Sequence, residues 1–247
     1  MIRVGVGGWT FEPWRGVFYP PGLPHKRELE FASRALTTLE INGTYYSTFK
    51  PDNWDKWRDE TPDDFVFSVK ASRYCSNRKE LAGMAESMDR FLGQGLTRLG
   101  AKLGPICWQF METKRFEADD FEAFLKLLPQ ERDGVRLRHA LEVRHPSFDT
   151  PEFVELAARY GAAIVYALDD DEPGWPEIDA PTADFTYARL MSSREGLETG
   201  VSTEELEAYA AKAQGWASRG EVFAYFISGA KVRNPAAAQA LQARLAG

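Results

Sequence analysis

Cysteine and histidine are scarce in this chain, with two and three copies respectively in 247 residues. Cys75 and Cys107 form no Cys-x-x-Cys pair, which argues against a disulfide scaffold and for a reducing, cytoplasmic setting. So few histidines leave little material for a metal centre built on imidazole. No apolar run approaches the ~18 residues of a membrane span, and Met1-Ile2-Arg3-Val4-Gly5 lacks the apolar core of a secretory signal. A soluble protein with no membrane partner is expected. Walker A, nucleophile-elbow and glycine-rich dinucleotide motifs are missing too, so no motif names a cofactor.

Positive charge is also in deficit. Lys and Arg number 30 against 37 Asp and Glu, for a formal net charge of −7. That balance disfavours an indiscriminate grip on nucleic acid, which needs a broad basic surface, and leaves room only for a local basic cleft.

Hydrophobic residues make up 44% of the chain and aromatics 13%, enough to fill a sizeable core. Strand-like runs fall at Arg3 to Gly7, Thr38 to Ile41, Phe65 to Lys70, Pro105 to Phe110, His139 to Val143, Ala163 to Leu168, Phe185 to Leu190 and Val222 to Phe226. Helix-like segments follow at Lys26 to Ala35, Asn53 to Glu60, Leu81 to Leu99, Ala118 to Leu128, Pro151 to Tyr160, Thr203 to Arg219 and Asn234 to Leu245. Thr150-Pro151-Glu152 and Ser202-Thr203-Glu204-Glu205 carry helix start signals. Strand and helix alternate, so the sheet is parallel. The pattern predicts an α/β fold, a (β/α)8 TIM barrel forming one domain over residues 1–247, with its site at the carboxyl ends of the strands. The sixth unit is irregular: Asp169 to Ala183, rich in Asp, Glu and Pro, reads as a loop.

Alternate strand residues share a face. In Leu141-Glu142-Val143-Arg144 the acid and the cation therefore point together, away from the apolar pair. Glu40 with Asn42, and Ser68 with Lys70, repeat the arrangement. Glu40, Lys70 and Glu142 are candidate catalytic groups, against the alternative of structural pairing inside the barrel. A desolvated Lys70 could donate a proton or form an imine. Asn42 and Gln109 offer neutral amides, while Arg144 and Arg189 could hold a phosphate or carboxylate by forked hydrogen bonds or, equally well for either one alone, pair with inner carboxylates. His145 lies three residues beyond Glu142, and with Glu40 and Asp169 these two are candidate ligands of a divalent metal. Asp169-Asp170-Asp171-Glu172 reads more simply as a solvated loop. The segment after the first strand carries Trp9, Phe11, Trp14, Phe18 and Tyr19. Exposed, these rings could stack on a sugar or base, with Trp9 as the candidate contact; packed down, they plug the barrel top, as large aromatics usually do.

Gly8-Trp9, Trp14, Phe18-Tyr19-Pro20, Glu40-Ile41-Asn42-Gly43-Thr44-Tyr45-Tyr46, Trp54, Trp57, Phe67-Ser68-Val69-Lys70, Gln109 and Glu142-Val143-Arg144-His145-Pro146-Ser147 together resemble the YecE-like family. That is an uncharacterised group with a TIM-barrel fold. The resemblance implies the fold and the place of a polar pocket, but no reaction. The chain departs from the family pattern at Ser76-Asn77, where Thr-His is common; at Met191-Ser192, where His-Gly is common; and at Ile227-Ser228, where an Asn pair is common.

The expectation is an enzyme acting on a small anionic ligand, phosphorylated or sugar-like. Arg144 and Arg189 would neutralise it, Glu40 and Glu142 would handle protons, and Lys70 with Gln109 would orient the reacting oxygen. A phosphodiester-processing enzyme on nucleic acid and a non-catalytic ligand-binding barrel are the alternatives. Fold alone cannot choose among them.

Overall fold

The computed structural model describes residues 1–169 and 174–247. Its main sheet contains nine parallel strands filling eight barrel positions. These are β1 (Ile2–Gly7), β2 (Thr38–Ile41), β3 (Val66–Lys70), β4 (Leu103–Gln109), β5 (His139–Glu142), β6 in two pieces (Ala163–Ile164 and Tyr166–Leu168), β7 (Phe185–Leu190) and β8 (Glu221–Phe226). The first piece of β6 pairs with β5 and the second with β7, so one interrupted strand closes the ring. At the break, Val165 still donates its amide to Leu141 O at 3.0 Å. Pairing of β1 with β8 joins the two ends of the chain, and the TIM-barrel fold is the one expected.

Strand parity separates two apolar layers. Val4, Val6, Leu39, Ile41, Phe67 and Trp108 belong to a large cluster shared with the surrounding helices. Val66, Cys107, Ala140, Val165, Tyr187, Phe223 and Tyr225 form a second cluster inside the barrel. The inner floor is ionic: Glu221 accepts from Arg3 at 2.6 Å and Arg138 at 2.7 Å, and Arg138 lies over the Phe223 ring at 4.9 Å.

The outer helices are α1 (Glu28–Ala35), α2 (Pro51–Glu60), α3 (Ala85–Leu92), α4 (Ala118–Lys126), α5 (Pro151–Arg159), α6 (Thr203–Ala217) and α7 (Asn234–Ala246). The two start signals act as expected. Thr150 accepts from Phe153 N, and Ser202 with Glu205 forms a reciprocal capping box that satisfies two orphan amides. The run expected as one helix from Leu81 to Leu99 instead breaks into α3 and a 3-10 segment, Leu96–Lys102. Gly93 ends the first piece and Gly95, at φ 108°, turns the chain through a conformation that glycine adopts freely. In the irregular sixth unit no helix occurs among the described residues, Asp169 and 174–183.

Candidate site at the C-terminal mouth

Register determines which side chains meet. Glu142 is opposite Gln109 and Glu40 is opposite Ser68 and Gly7, so the inward positions at the strand ends form one level. Glu40 and Glu142 have no exposed surface and Arg189 only 2%. Arg189 bridges the two acids: Nη1 donates to Glu142 Oε2 and Nη2 to Glu40 Oε1 at 3.1 Å. Glu142 Oε1 accepts from Arg144 Nε at 2.9 Å, Arg144 Nη2 at 2.8 Å and Gln109 Nε2 at 2.7 Å. Glu40 Oε2 accepts from the Tyr187 hydroxyl at 2.5 Å.

Burial alone would raise the Glu142 pKa, but the guanidinium groups of Arg189 and Arg144 and the ammonium of Lys70 outweigh it and hold the carboxyl down at about 2. Glu142 is therefore a fixed anion at neutral pH. Lys70 is shifted down as well, which for an ammonium favours the neutral form: burial, then the nearby Arg189, lower its pKa, against the pull of Glu142 and Glu40. Its Nζ lies 4.4 Å from the centre of the Tyr45 ring. Among the described residues it stands in no ion pair, unlike the two arginines.

The expected residues thus divide. Glu40, Lys70, Gln109, Glu142, Arg144 and Arg189 come together at one end of the barrel. Trp9 does not join them: its ring packs on Trp57 at 5.3 Å and Phe67 at 6.1 Å, in the layer between sheet and helices. Trp14 and Tyr19 are also buried, so this segment mainly plugs the structure. His145 caps the short Pro146–Phe148 turn, its Nδ1 accepting from Ser147 N at 3.0 Å. Asn42 lies against β1, where a Cβ on Gly7 would come within 2.4 Å of its Nδ2. Glycine there is what lets the amide approach.

The metal alternative meets a chemical obstacle. A guanidinium already occupies the space between Glu40 and Glu142, and His145 Nδ1 is engaged in its cap. Among the described residues no three His, Cys, Asp or Glu side chains form a group that could hold a metal ion. Asp169 directly follows β6 at the same end, whereas Asp170, Asp171 and Glu172 lie outside the described residues.

Two contributors escaped the sequence reading. Tyr187 reads as ordinary core, yet it supplies a donor to Glu40. Trp175 sits in the irregular segment, and the Arg144 guanidinium lies 4.0 Å from its ring centre. Nothing local marks either one, because both partners come from other strands.

The mouth also holds unmet hydrogen-bonding capacity. Among the described residues, Asn42 Oδ1, Ser76 Oγ, Asn77 Oδ1, Ser192 Oγ and Arg189 Nε are buried without a partner. All lie on β7 or on the loops leaving β2, β3 and β7. Ser76, Asn77 and Ser192 are among the positions that depart from the pattern described above. Asn77 Nδ2 donates to the Tyr45 hydroxyl at 2.9 Å, which links this rim to the ring beside Lys70.

A model of the family described as "protein of unknown function DUF72" matches residues 3–247. The chain belongs to this family. The UPF0759 protein YecE of Escherichia coli K12 is 29% identical over 151 residues, covering 60% of this chain and 50% of that protein. YunF of Bacillus subtilis is 26% identical over 188 residues, covering 74% and 64%. The matches span about half of the first relative and under two thirds of the second. A DUF72 protein from Thermotoga maritima superposes with a TM-score of 0.79 at 24% identity, covering 99% and 98% of the two chains. D-psicose 3-epimerase reaches a TM-score of 0.50 at 10% identity over 94% of this chain and 89% of that one, a likeness of fold alone. In this DUF72 chain no helix among the described residues is long and apolar enough to cross a membrane.

Proposed function

We propose that this DUF72 protein is an enzyme whose barrel mouth takes a small, hydroxylated, anionic ligand, phosphorylated or sugar-like, with Lys70 as both anion contact and proton-handling group. The observation that supports this most is the ring of unpartnered buried polar atoms, Asn42 Oδ1, Ser76 Oγ, Asn77 Oδ1 and Ser192 Oγ, at the end where Lys70 lies. Buried polar atoms normally find partners. A ligand rich in hydroxyls would satisfy these oxygens with its own donors.

Lys70 takes the proton role in place of Glu40 and Glu142. Both carboxylates are wholly buried, each of their oxygens accepts from a neighbour, and Glu142 is pinned as an anion. They act as an anchoring frame that keeps three cations close together. A lysine in this setting loses its proton more readily than a solvated one. Arg144 contributes its Nη1 edge, since only Nε and Nη2 are committed to Glu142.

A thermal-shift series tests the proposal using inorganic phosphate, a hexose phosphate and the matching neutral hexose. The hexose phosphate should give a saturable rise in Tm that exceeds either component alone. Lys70→Met should abolish the part that depends on the phosphate. Equal, unsaturated responses from parent and variant would overturn the assignment.

A further inference from the structure

Beside the mouth, on the loops after β2, β3 and β4, lies a second surface of different character. Its cations lack partners. Among the described residues, Lys50, Arg73, Arg78, Lys79 and Arg115 are exposed and stand in no ion pair. Elsewhere on this acidic chain most exposed arginines are neutralised: Arg98, Arg136, Arg159, Arg219 and Arg244 each pair with a carboxylate, whereas exposed Arg34, Lys26 and Lys231 stand apart from one another without such a pair among the described residues. Glu80, Glu112 and Glu117 lie on the same loops but pair with none of the five.

Aromatic rings lie among those cations. Tyr46 is 66% exposed and Tyr74 52%, and both rank among the large hydrophobic side chains left in solvent. The Arg73 guanidinium lies 5.8 Å from the Tyr46 ring centre and 5.3 Å from that of Tyr74, joining the rings into one platform. This platform borders a cleft of about 260 Å³ that also includes the unpaired Arg78 and Arg90, the latter paired with Glu86. A second cleft, about 580 Å³, is lined by the unpaired Arg78, Lys79 and Arg115, by Lys114, which pairs with Asp120, by Glu117, and by Ser76 and Asn77. Arg78 lines both, so the two clefts lie side by side along one track.

We infer that this track binds single-stranded nucleic acid. Unpaired cations following a groove attract the phosphate chain, and flat exposed rings accept bases of any sequence by stacking. Screening limits such attraction to about 8 Å at physiological salt, so the local cluster can act despite the overall negative charge. An acidic polypeptide would meet the same cations but has no use for the tyrosine platform. The track adjoins the Lys70 site, sharing Ser76 and Asn77 with it, but its unpaired cations and its tyrosine rings are separate from Lys70.

Fluorescence anisotropy with a labelled oligothymidylate of about a dozen nucleotides tests the inference. Saturable binding is expected in low salt, weakening roughly 20-fold between 50 and 200 mM salt if three phosphates are neutralised. Tyr74→Ala and Arg78→Glu should each weaken binding at least about fivefold. Arg219→Ala on the far surface, and Lys70→Met, should leave it unchanged. The inference is overturned if no saturable binding appears, if a mononucleotide or poly-glutamate competes as well as the oligomer, or if both track variants bind like the parent.

Discussion

Tyr187 donates its hydroxyl to Glu40 at 2.5 Å across the interior of the barrel, from β7 to β2. With β8 and β1 between those strands in the sheet, only closure of the ring brings the two residues together. Glu40 gives its other oxygen to Arg189, so the phenol and the guanidinium fix the carboxylate between them. Removing the phenol isolates its contribution. Tyr187→Phe keeps the ring and leaves a buried carboxylate oxygen short of a donor, at a cost of about 1–3 kcal/mol. Tm should fall by roughly 2–4 °C per kcal/mol in a chain of this size. A variant that melts with the parent would show that Glu40 does not need this donor.

Arg189 and Glu142 should prove strongly coupled. Glu142→Gln strands Arg189 and Arg144 in a buried site and should destabilise the fold by about 3–5 kcal/mol. Arg189→Met strands the two acids at a similar cost. Chemical denaturation of the double variant should show less than the sum of the two losses, because the Arg189–Glu142 pair is lost only once, although Glu40 and Arg144 still each lose a partner. Strict additivity would mean that the ion pair carries no energy of its own.

Acid should destabilise the protein in two stages. His139 is buried, its Nδ1 accepting from Trp108 Nε1 at 3.1 Å, so the ring proton sits on Nε2 and donates to Pro129 O at 2.8 Å. Burial lowers its pKa to about 4, against the raising effect of the Pro129 bond. A depressed pKa means that the unfolded chain takes up the proton first. Stability is therefore complete above the unfolded value near 6.5 and declines as pH falls toward about 4, by roughly 3 kcal/mol. Glu142 follows, its contribution present above about 4.3 and lost as pH falls toward about 2. Urea unfolding at stepped pH should show both limbs. His139→Gln should flatten the first limb and leave the second.

Much of this architecture is legible in the chain because parity and punctuation are local. Alternating residues placed Glu40, Lys70, Gln109, Glu142, Arg144 and Arg189 on one face, and capping residues marked α5 and α6. What could not be read depends on the diameter and closure of the barrel. Tyr187 sits between Thr186 and Ala188 and looks like filling until Glu40 arrives from the opposite side. Arg144 and Arg189 each read equally well as an anion clamp or an internal partner, and only the contacts show both held by Glu142. Trp9 left two readings open, stacking on a ligand or packing down, and Trp57 and Phe67 offer it the apolar bed of the second. The glycine breaks after α3 were visible in the sequence, but the apolar pattern ran on past them.

The rim departures should be functional rather than structural. Ser76 and Ser192 leave their hydroxyls unpartnered, so Ser76→Ala and Ser192→Ala remove no internal bond. Each should leave the unfolding free energy within about 0.5 kcal/mol of the parent, or raise it, since an orphan buried polar atom is costly. Binding of a hexose phosphate should weaken in the same variants, by calorimetric titration. Loss of stability with unchanged binding would place these hydroxyls in the scaffold.

Lys70 is the central claim, and its titration tests it most directly. Lysines reductively methylated with a carbon-13 label can be followed by NMR against pH, with Lys70→Met identifying the signal. The account predicts a pKa below that of the surface lysines, because burial and Arg189 disfavour its charge. Saturating hexose phosphate should then raise that pKa, since an anion beside the ammonium stabilises the protonated form. A Lys70 signal that titrates with the surface lysines and stays unmoved by the ligand would contradict the account.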